Sequence, residues 1–279
     1  MLRISSREYS KALEVLYDVK INHLFAKTVL NEEVDGRVYV DSLENPKIYY
    51  VRHPYGMSLI FGEPEAFEAW DEFWKHLENY PKNHTKDEWL QVWPEEIWTA
   101  LNRRMGFKAD DHAIIEVGDT INKETRVNFE FDHSAYLASN ARDQRELTFG
   151  KIVRTGVHEY NGLKGSVVAN HFWRDREVFL KDGIGFSLVD DGNVASTAFS
   201  AFIHSGQLEL GIETAENYRG KGCAFHVCCQ LIDYCLDHNL KPVWSCRFGN
   251  TGSVKLAQKL KFKPSKYIPY YRLKGSESR

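Results

Sequence analysis

Residues 216–226, ENYRGKGCAFH, set two glycines one residue apart, with an Arg and a Lys beside them, directly before an apolar run. The first N–H groups of a helix lack internal partners and carry the positive end of the helix dipole, so they attract anions where the backbone is accessible. Gly220 and Gly222 give that access because they carry no side chain. A tight turn from strand to helix also favours glycine. The stretch alone therefore leaves two interpretations open, a phosphate-binding loop and a plain turn.

Two better-known phosphate motifs are excluded. No Lys–Ser/Thr pair follows a glycine at the spacing of the Walker A motif. Phe225 stands where the dinucleotide fingerprint G-x-G-x-x-G requires its third glycine.

The sequence on both sides of the loop predicts an α/β fold with a mixed sheet. Before the loop, residues 183–214 show the pattern of three consecutive strands that turn at DDGN and HSGQ. After it, the apolar periodicity predicts a helix of roughly four turns. Residues 241–248 then predict a strand, residues 250–262 a capped helix and residues 266–273 a last strand. Strands joined first by hairpins and then through helices are typical of mixed sheets.

The first half of the chain has its own order of short strands and helices. We therefore predict two domains, residues 1–145 and residues 146–279. Trp70, Trp74 and Leu77 recur at helical spacing, which favours a packed core stripe over a platform that stacks bases or sugars. We find no catalytic constellation in this half.

Composition narrows the class of protein. The chain of 279 residues is 43% hydrophobic and 27% charged, with a net charge of -3, which does not favour a nucleic-acid-binding or membrane-surface protein. Its start lacks the apolar core of a signal peptide and no run has the length of a membrane span, so we expect a cytoplasmic protein. Five cysteines between Cys223 and Cys246 fit a reducing compartment rather than a disulfide framework. Without a C-x-x-C pair, we expect no metal site.

Two motifs resemble the GNAT superfamily of acyl-CoA-dependent N-acyltransferases. Its cofactor motif, Q/R-x-x-G-x-G/A, is met by Arg219, Gly222 and Ala224. Its second signature is matched in register by Asn250, Ser253, Leu256, Lys259 and Phe262. The wider chain resembles two-domain acetyltransferases similar to the zwittermicin A resistance enzyme. The resemblance implies a largely antiparallel mixed sheet flanked by helices, after a smaller N-terminal α/β domain that shapes the acceptor site.

The same resemblance implies an acetyl-CoA-dependent N-acetyltransferase that moves an acetyl group to a primary amine by direct attack. The acceptor would be a small-molecule amine or a peptide. Main-chain N–H groups of the loop would bind the pyrophosphate of acetyl-CoA, and the strand before it would pair with the pantetheine arm. The residues implied in cofactor binding are Leu210, Ile212, Thr214, Arg219, Gly220, Lys221, Gly222, Cys223, Ala224, Asn250 and Ser253.

The sequence indicates the catalytic residues less clearly than the cofactor-binding residues. Glu209 lies in the apolar strand QLELGIET, where strand alternation puts it on the same face as Glu213, and a carboxylate there could act as a base. The tyrosine that often serves as the acid in the family would fall at Ala257, so that role does not carry over. Tyr267 and Tyr270 on the last strand are alternative acids, although each could equally be a core or edge residue.

Three hypotheses follow. The first is the N-acetyltransferase, which we favour because the glycine loop is intact. The second is a catalytically degenerate acyl-CoA-binding module, which Ala257 and the replacement of the family's glycine by Lys261 keep open. The third is a partner-binding protein whose aromatic first half docks a ligand. Cofactor binding separates the third from the others, and turnover with amines separates the first from the second.

Overall fold

The computed structural model describes residues 1–106, 115–117, 121–139, 147, 149–162 and 164–278. The chain divides into two compact units. The first unit comprises Met1–Asn128, Arg247–Gly249 and Lys266–Arg279, and the second comprises Phe129–Cys246 and Asn250–Ser265. Within the described residues, no helix is both long enough and apolar enough to cross a bilayer.

The strands of the described residues are β1 (Leu2–Arg3), β2 (Arg37–Val40), β3 (Ile48–Arg52), β4 (Met57–Gly62), β5 (Glu88–Val92), β6 (Ile115–Val117), β7 (Ile121–Phe131), β8 (Lys151–Arg154), β9 (Gly185–Asp190), β10 (Asn193–His204), β11 (Gln207–Thr214), β12 (Lys241–Arg247) and β13 (Phe262–Leu273). The helices are α1 (Tyr9–Leu16), α2 (Leu24–Leu30), α3 (Phe67–Glu78), α4 (Tyr80–Asn83), α5 (Glu95–Arg104), α6 (His133–Ala138), α7 (Val157–Gly162), α8 (Arg176–Asp182), α9 (Cys223–Asp237) and α10 (Thr251–Lys259).

In the first unit, β1 to β4 form an antiparallel run, and β5 then pairs in parallel with β4. Parallel neighbours need a crossover connection, which α3 and α4 provide here. Helix α3 buries the aromatic stripe: the rings of Trp70 and Trp74 stack at 5.5 Å, and Leu77 joins them in the core. The predicted core stripe is therefore confirmed.

The second unit repeats this order. Strands β8 to β11 form an antiparallel run, β12 pairs in parallel with β11, and α9 makes the crossover. Helix α9 covers one face of the sheet, where Tyr234 lies 6.2 Å from Phe186. On the other face, Phe172 and Phe179 approach Phe199 of β10 at 5.5 and 6.4 Å. The mixed, largely antiparallel sheet flanked by helices is the predicted fold class.

The units differ in extent from the domains expected at 1–145 and 146–279, and the boundary itself lies outside the described residues. Residues 129–139 belong to the second unit because α6 docks there: the hydroxyl of Tyr136 donates to Asp233 of α9 at 3.2 Å. Lys266–Arg279 belongs to the first unit because the end of β13 pairs with β5.

Candidate functional site

Strand β11 separates from β12 partway along its length. Their paired residues are 207–209 of β11 with 241–243 of β12, and in the described part of the chain the pairing stops there although both strands continue. Residues 210–214 remain paired with β10 on their other side. An unpaired strand edge presents N–H and C=O groups in the spacing that an extended ligand can meet.

The three residues expected along the pantetheine arm all fall in this open stretch. Leu210 is buried, whereas Ile212 and Thr214 are half-buried. The hydroxyl of Thr214 lies 2.8 Å from that of Ser196 on β10, which fixes its side chain. These residues thus lie in the stretch of β11 that is not paired with β12, and their contact with a cofactor stays a prediction.

Glu209 lies at the last paired position before the two strands separate. It shares a sheet face with Glu213, since residues of a strand alternate between faces. Gly211 lies between them, and a Cβ there would be 2.4 Å from the ring of Phe199, so that ring occupies the space between the carboxylates. Glu209 is only 4% exposed. The candidate base is thus a buried carboxylate at the point where the strand edge opens.

The loop between β11 and α9 has the backbone that its glycines predict. Gly220 and Gly222 have φ angles of 76° and 81°, in the left-handed region, and Gly222 is the N-cap of α9. A Cβ on Gly220 would meet nothing within 4 Å, and one on Gly222 would meet only His226 Nε2, at 3.9 Å. The φ angles alone account for a turn. An anion-binding loop needs more than these φ angles: it also needs open space in front of the first N–H groups of α9, and that space is present here.

Two cations flank the loop. Arg219 Nε donates to the carbonyl oxygen of Thr214 at 3.2 Å, and its Nη2 lies 3.6 Å from Glu213 Oε1. The Arg219 side chain is 64% exposed. Lys221 is exposed, with its Nζ 5.2 Å from the centre of the Tyr218 ring. Both charges lie near the positive end of the α9 dipole, and together they favour an anionic ligand.

The first helical residues are small and packed. Cys223 is buried, its Sγ donates to the carbonyl oxygen of Tyr218 at 3.5 Å, and burial raises the pKa of its thiol. A thiol with a raised pKa is a poor nucleophile at neutral pH. Ala224 is half-buried. Their contribution to anion binding would come from backbone N–H groups rather than side chains.

Asn250 and Ser253 begin α10. Asn250 Oδ1 accepts the N–H of Ser253 at 3.1 Å, and Ser253 Oγ accepts Trp244 Nε1, also at 3.1 Å. Asn250 therefore has a structural role as the N-cap of α10, and Ser253 has one as the hydrogen-bond partner of β12. Contact of either residue with the cofactor stays a prediction. The hydrogen bond from Trp244 to Ser253 could not be predicted from the sequence.

Two departures from the family pattern have physical consequences. Ala257 is completely buried, so a tyrosine would not fit there without displacing the core. Lys261 has φ 67°, a left-handed conformation that explains why glycine suits this position. Its carbonyl oxygen accepts the N–H of Asp132 at 3.0 Å, which helps to hold the turn.

Tyr267 and Tyr270 lie in the first unit, whereas Glu209 and the loop lie in the second. Tyr267 is 43% exposed, with its ring 5.9 Å from that of Phe248. Tyr270 is buried and stacks on Trp89 at 4.9 Å. Three positions apart on one strand, the two side chains point to opposite faces. A catalytic role for either tyrosine stays a prediction.

Within its described residues, the first unit repeats the strand order but lacks the features of this site. Strands β4 and β5 stay paired up to Val92, the last residue of β5. The turn after β4 contains Glu63, Pro64 and Glu65, two acidic residues without a glycine pair or a cation between them. Lys47 pairs with Glu63 at 2.8 Å and Glu65 adds a further negative charge, so the turn itself offers no positive charge to an anion. We therefore locate the candidate site in the second unit.

Comparison with known proteins identifies the family of the chain. A protein-family model described as GNAT acetyltransferase matches residues 16–271. Over 272 residues, the chain is 23% identical to YdfB, an uncharacterized N-acetyltransferase of Bacillus subtilis (strain 168), with 96% of this chain and 97% of that protein covered.

Solved structures show the same fold. A GCN5-related N-acetyltransferase-like protein from Streptococcus suis 89/1591 has a TM-score of 0.68 at 23% identity, with 97% of this chain and 100% of that chain covered. A tandem GNAT protein from the clavulanic acid biosynthesis pathway has a TM-score of 0.63 at 11% identity, with 97% of each chain covered. The narrower likeness to the zwittermicin A resistance type stays a prediction. Because the family model spans nearly the whole sequence, the chain belongs to the GNAT acetyltransferase family and is an acetyltransferase.

Proposed function

We propose that this protein is an acetyl-CoA-dependent N-acetyltransferase that acts on a primary amine by direct attack. One observation carries the proposal: a strand whose edge opens after Glu209 ends in a glycine loop before a long helix. An extended arm needs the open edge, and a pyrophosphate needs the loop. Acetyl-CoA has both parts.

The residues present fit this ligand. Gly220 and Gly222 leave the loop backbone accessible, and Arg219 and Lys221 supply positive charge beside it. Residues 210–214 offer the strand edge. Acetyl-CoA supplies the acetyl group as a thioester, and the chain binds and orients it.

Glu209 is our candidate for the base. An amine attacks only in its neutral form, and an alkylammonium with a pKa of roughly 10 is mostly protonated at neutral pH. Glu209, at the point where β11 and β12 separate, could take this proton directly or through a water. Proton return to the leaving thiolate would need an acid, and for this role Tyr267 and Tyr270, both in the first unit, stay predictions.

Turnover with a panel of small amines and peptides tests the proposal. The assay measures the free thiol of CoA that each turnover releases. Glu209→Gln should lower kcat by about 10²-fold or more, while the Kd for acetyl-CoA stays within about threefold, because the base acts on the amine. Asp237→Asn, at the exposed end of α9, removes one negative charge as the control. Wild-type turnover retained in Glu209→Gln would exclude Glu209 as the base. Binding without turnover across the panel would favour the degenerate binding module.

We also propose a cytoplasmic location. All five cysteines are buried and outside any disulfide, as a reducing compartment allows. Detection of the protein in a fractionated cell would test this directly.

A further inference from the structure

The carboxylate of Glu213 connects three segments of the second unit. Its Oε2 accepts the N–H groups of Ser166 and Val167 at 3.0 and 3.1 Å, across 47 and 46 positions of sequence. Its Oε1 accepts the N–H of Thr214 at 3.3 Å and lies 3.6 Å from Arg219 Nη2. The Glu213 side chain is only 12% exposed. Both oxygens are therefore committed to donors from separate parts of the chain.

The segment that meets this carboxylate is shaped to receive it. A Cβ on Gly165 would lie 2.3 Å from Glu213 Oε2 and 2.6 Å from its Cγ, so only glycine lets the backbone come this close. Three positions further on, Val168 packs with Val194, and Ala215, the residue that follows β11, packs against this pair. The segment thus contacts the end of β11 through Glu213, and its Val168 belongs to the cluster against which the first residue of the glycine loop packs.

From these contacts we infer that Glu213 is a positioning residue. It docks residues 165–168, here called the docked segment, onto the strand end that leads into the loop, and it holds Arg219 with the same carboxylate. The negative charge of Glu213 is offset by three N–H groups and one guanidinium. A carboxylate can therefore lie beside a site for a polyanion.

The consequence for binding rests on the proposed function. When the docked segment is released, Val168 leaves the cluster against which Ala215 packs, so the loop loses packing at its first residue. The loop must then be ordered when acetyl-CoA binds, which weakens the observed affinity. Glu213 touches neither the acetyl group nor the amine in this account, so its effect should appear in the dissociation constant rather than in the chemical step.

Hydrogen exchange of the backbone amides of Ser166 and Val167 tests the docking itself, on the full chain and without any ligand. In Glu213→Ala we expect exchange at these two amides to become about tenfold faster, because each loses a charge-assisted hydrogen bond. Glu213→Gln retains a carbonyl oxygen as acceptor and should restore most of the protection. Asp237→Asn should leave it unchanged. Unchanged exchange in Glu213→Ala, or equal exchange in the Ala and Gln variants, would overturn the inference.

Acetyl-CoA titration tests the effect on the site. We expect the Kd to rise about fivefold in Glu213→Ala and to stay within about twofold in Glu213→Gln. An unchanged Kd in Glu213→Ala would refute the positioning role. If the wild type itself binds no acetyl-CoA, the proposed function fails, whereas the exchange measurement still decides whether Glu213 docks the segment.

A second variant approaches the same contact from the other side and guards against a misfolded Glu213→Ala. Gly165→Ala should speed exchange at Ser166 and Val167 because its Cβ would clash with the carboxylate. In the Glu213→Ala background the same change should add almost nothing, since the clashing atoms are gone. Additive effects of the two substitutions would contradict the direct contact.

Discussion

Gly220 and Gly192 form a matched pair that separates the two interpretations of the glycine loop. Both residues lie in the second unit, with φ angles of 76° and 79°, and a Cβ on either would meet nothing within 4 Å. Replacing either by alanine therefore costs only the left-handed backbone strain, about 1 kcal/mol in each case. Gly192 belongs to the turn between β9 and β10, which is not part of the strand edge or of the glycine loop that we propose to bind acetyl-CoA.

The two variants should differ in binding although they agree in stability. The methyl group of Gly220→Ala stands in the open space in front of the loop and hinders approach to its N–H groups. Losing one hydrogen bond to a phosphate oxygen costs about 1.5–3 kcal/mol, which corresponds to a Kd for acetyl-CoA at least about tenfold higher. Gly192→Ala should keep the wild-type Kd within about twofold.

Isothermal titration with acetyl-CoA gives the two dissociation constants, and urea unfolding without ligand gives the two stabilities. Equal affinity of Gly220→Ala and the wild type would refute the reasoning, because the loop would then be a turn only. Equal weakening in both variants would refute it as well, since backbone strain alone would explain the loss.

Three further predictions concern stability. Burial lowers the pKa of His53 from 6.5 to about 3, so the stability that is present above pH 6.5 should be lost as the pH falls toward 3. Thermal unfolding across this range should show this loss as a falling Tm. In His53→Asn, whose amide oxygen can still accept the N–H of Tyr55, the Tm should fall less steeply with pH. Lys261→Gly should stabilise the protein by about 0.5–1 kcal/mol by removing left-handed strain, measured by urea unfolding, and a loss of stability would contradict this. Asn250→Ala should cost about 1 kcal/mol because α10 loses its N-cap bond, whereas Asn250→Ser should retain most of it.

The sequence could predict the loop because its evidence is local. The glycine pair, the charges beside it and the apolar helix that follows lie within eleven letters of sequence, and left-handed φ angles at Gly220 and Gly222 are what such a pattern requires. Strand alternation likewise placed Glu209 and Glu213 on one face. The packed stripe of Trp70 and Trp74 was predicted for the same reason, since its spacing is helical.

Contacts between distant segments could not be predicted in this way. Glu213 meets Ser166 across 47 positions, and nothing in the strand QLELGIET indicates that partner. The end of β13 pairs with β5, so residues that follow the second signature in sequence belong to the first unit. Nearness in sequence to the second signature is thus all that points to Tyr267 and Tyr270 as acids. Their spacing of three puts them on opposite faces of β13, which alternation would have shown.

The central claim is that the second unit binds acetyl-CoA at the glycine loop, and that the first unit, with its acidic turn, does not. Calorimetric titration of acetyl-CoA into the wild type and into Gly222→Trp tests it most directly. We predict one site per chain with a Kd in roughly the micromolar range, and loss of that site in Gly222→Trp. No binding to the wild type, two sites per chain, or undiminished binding to Gly222→Trp would contradict the account.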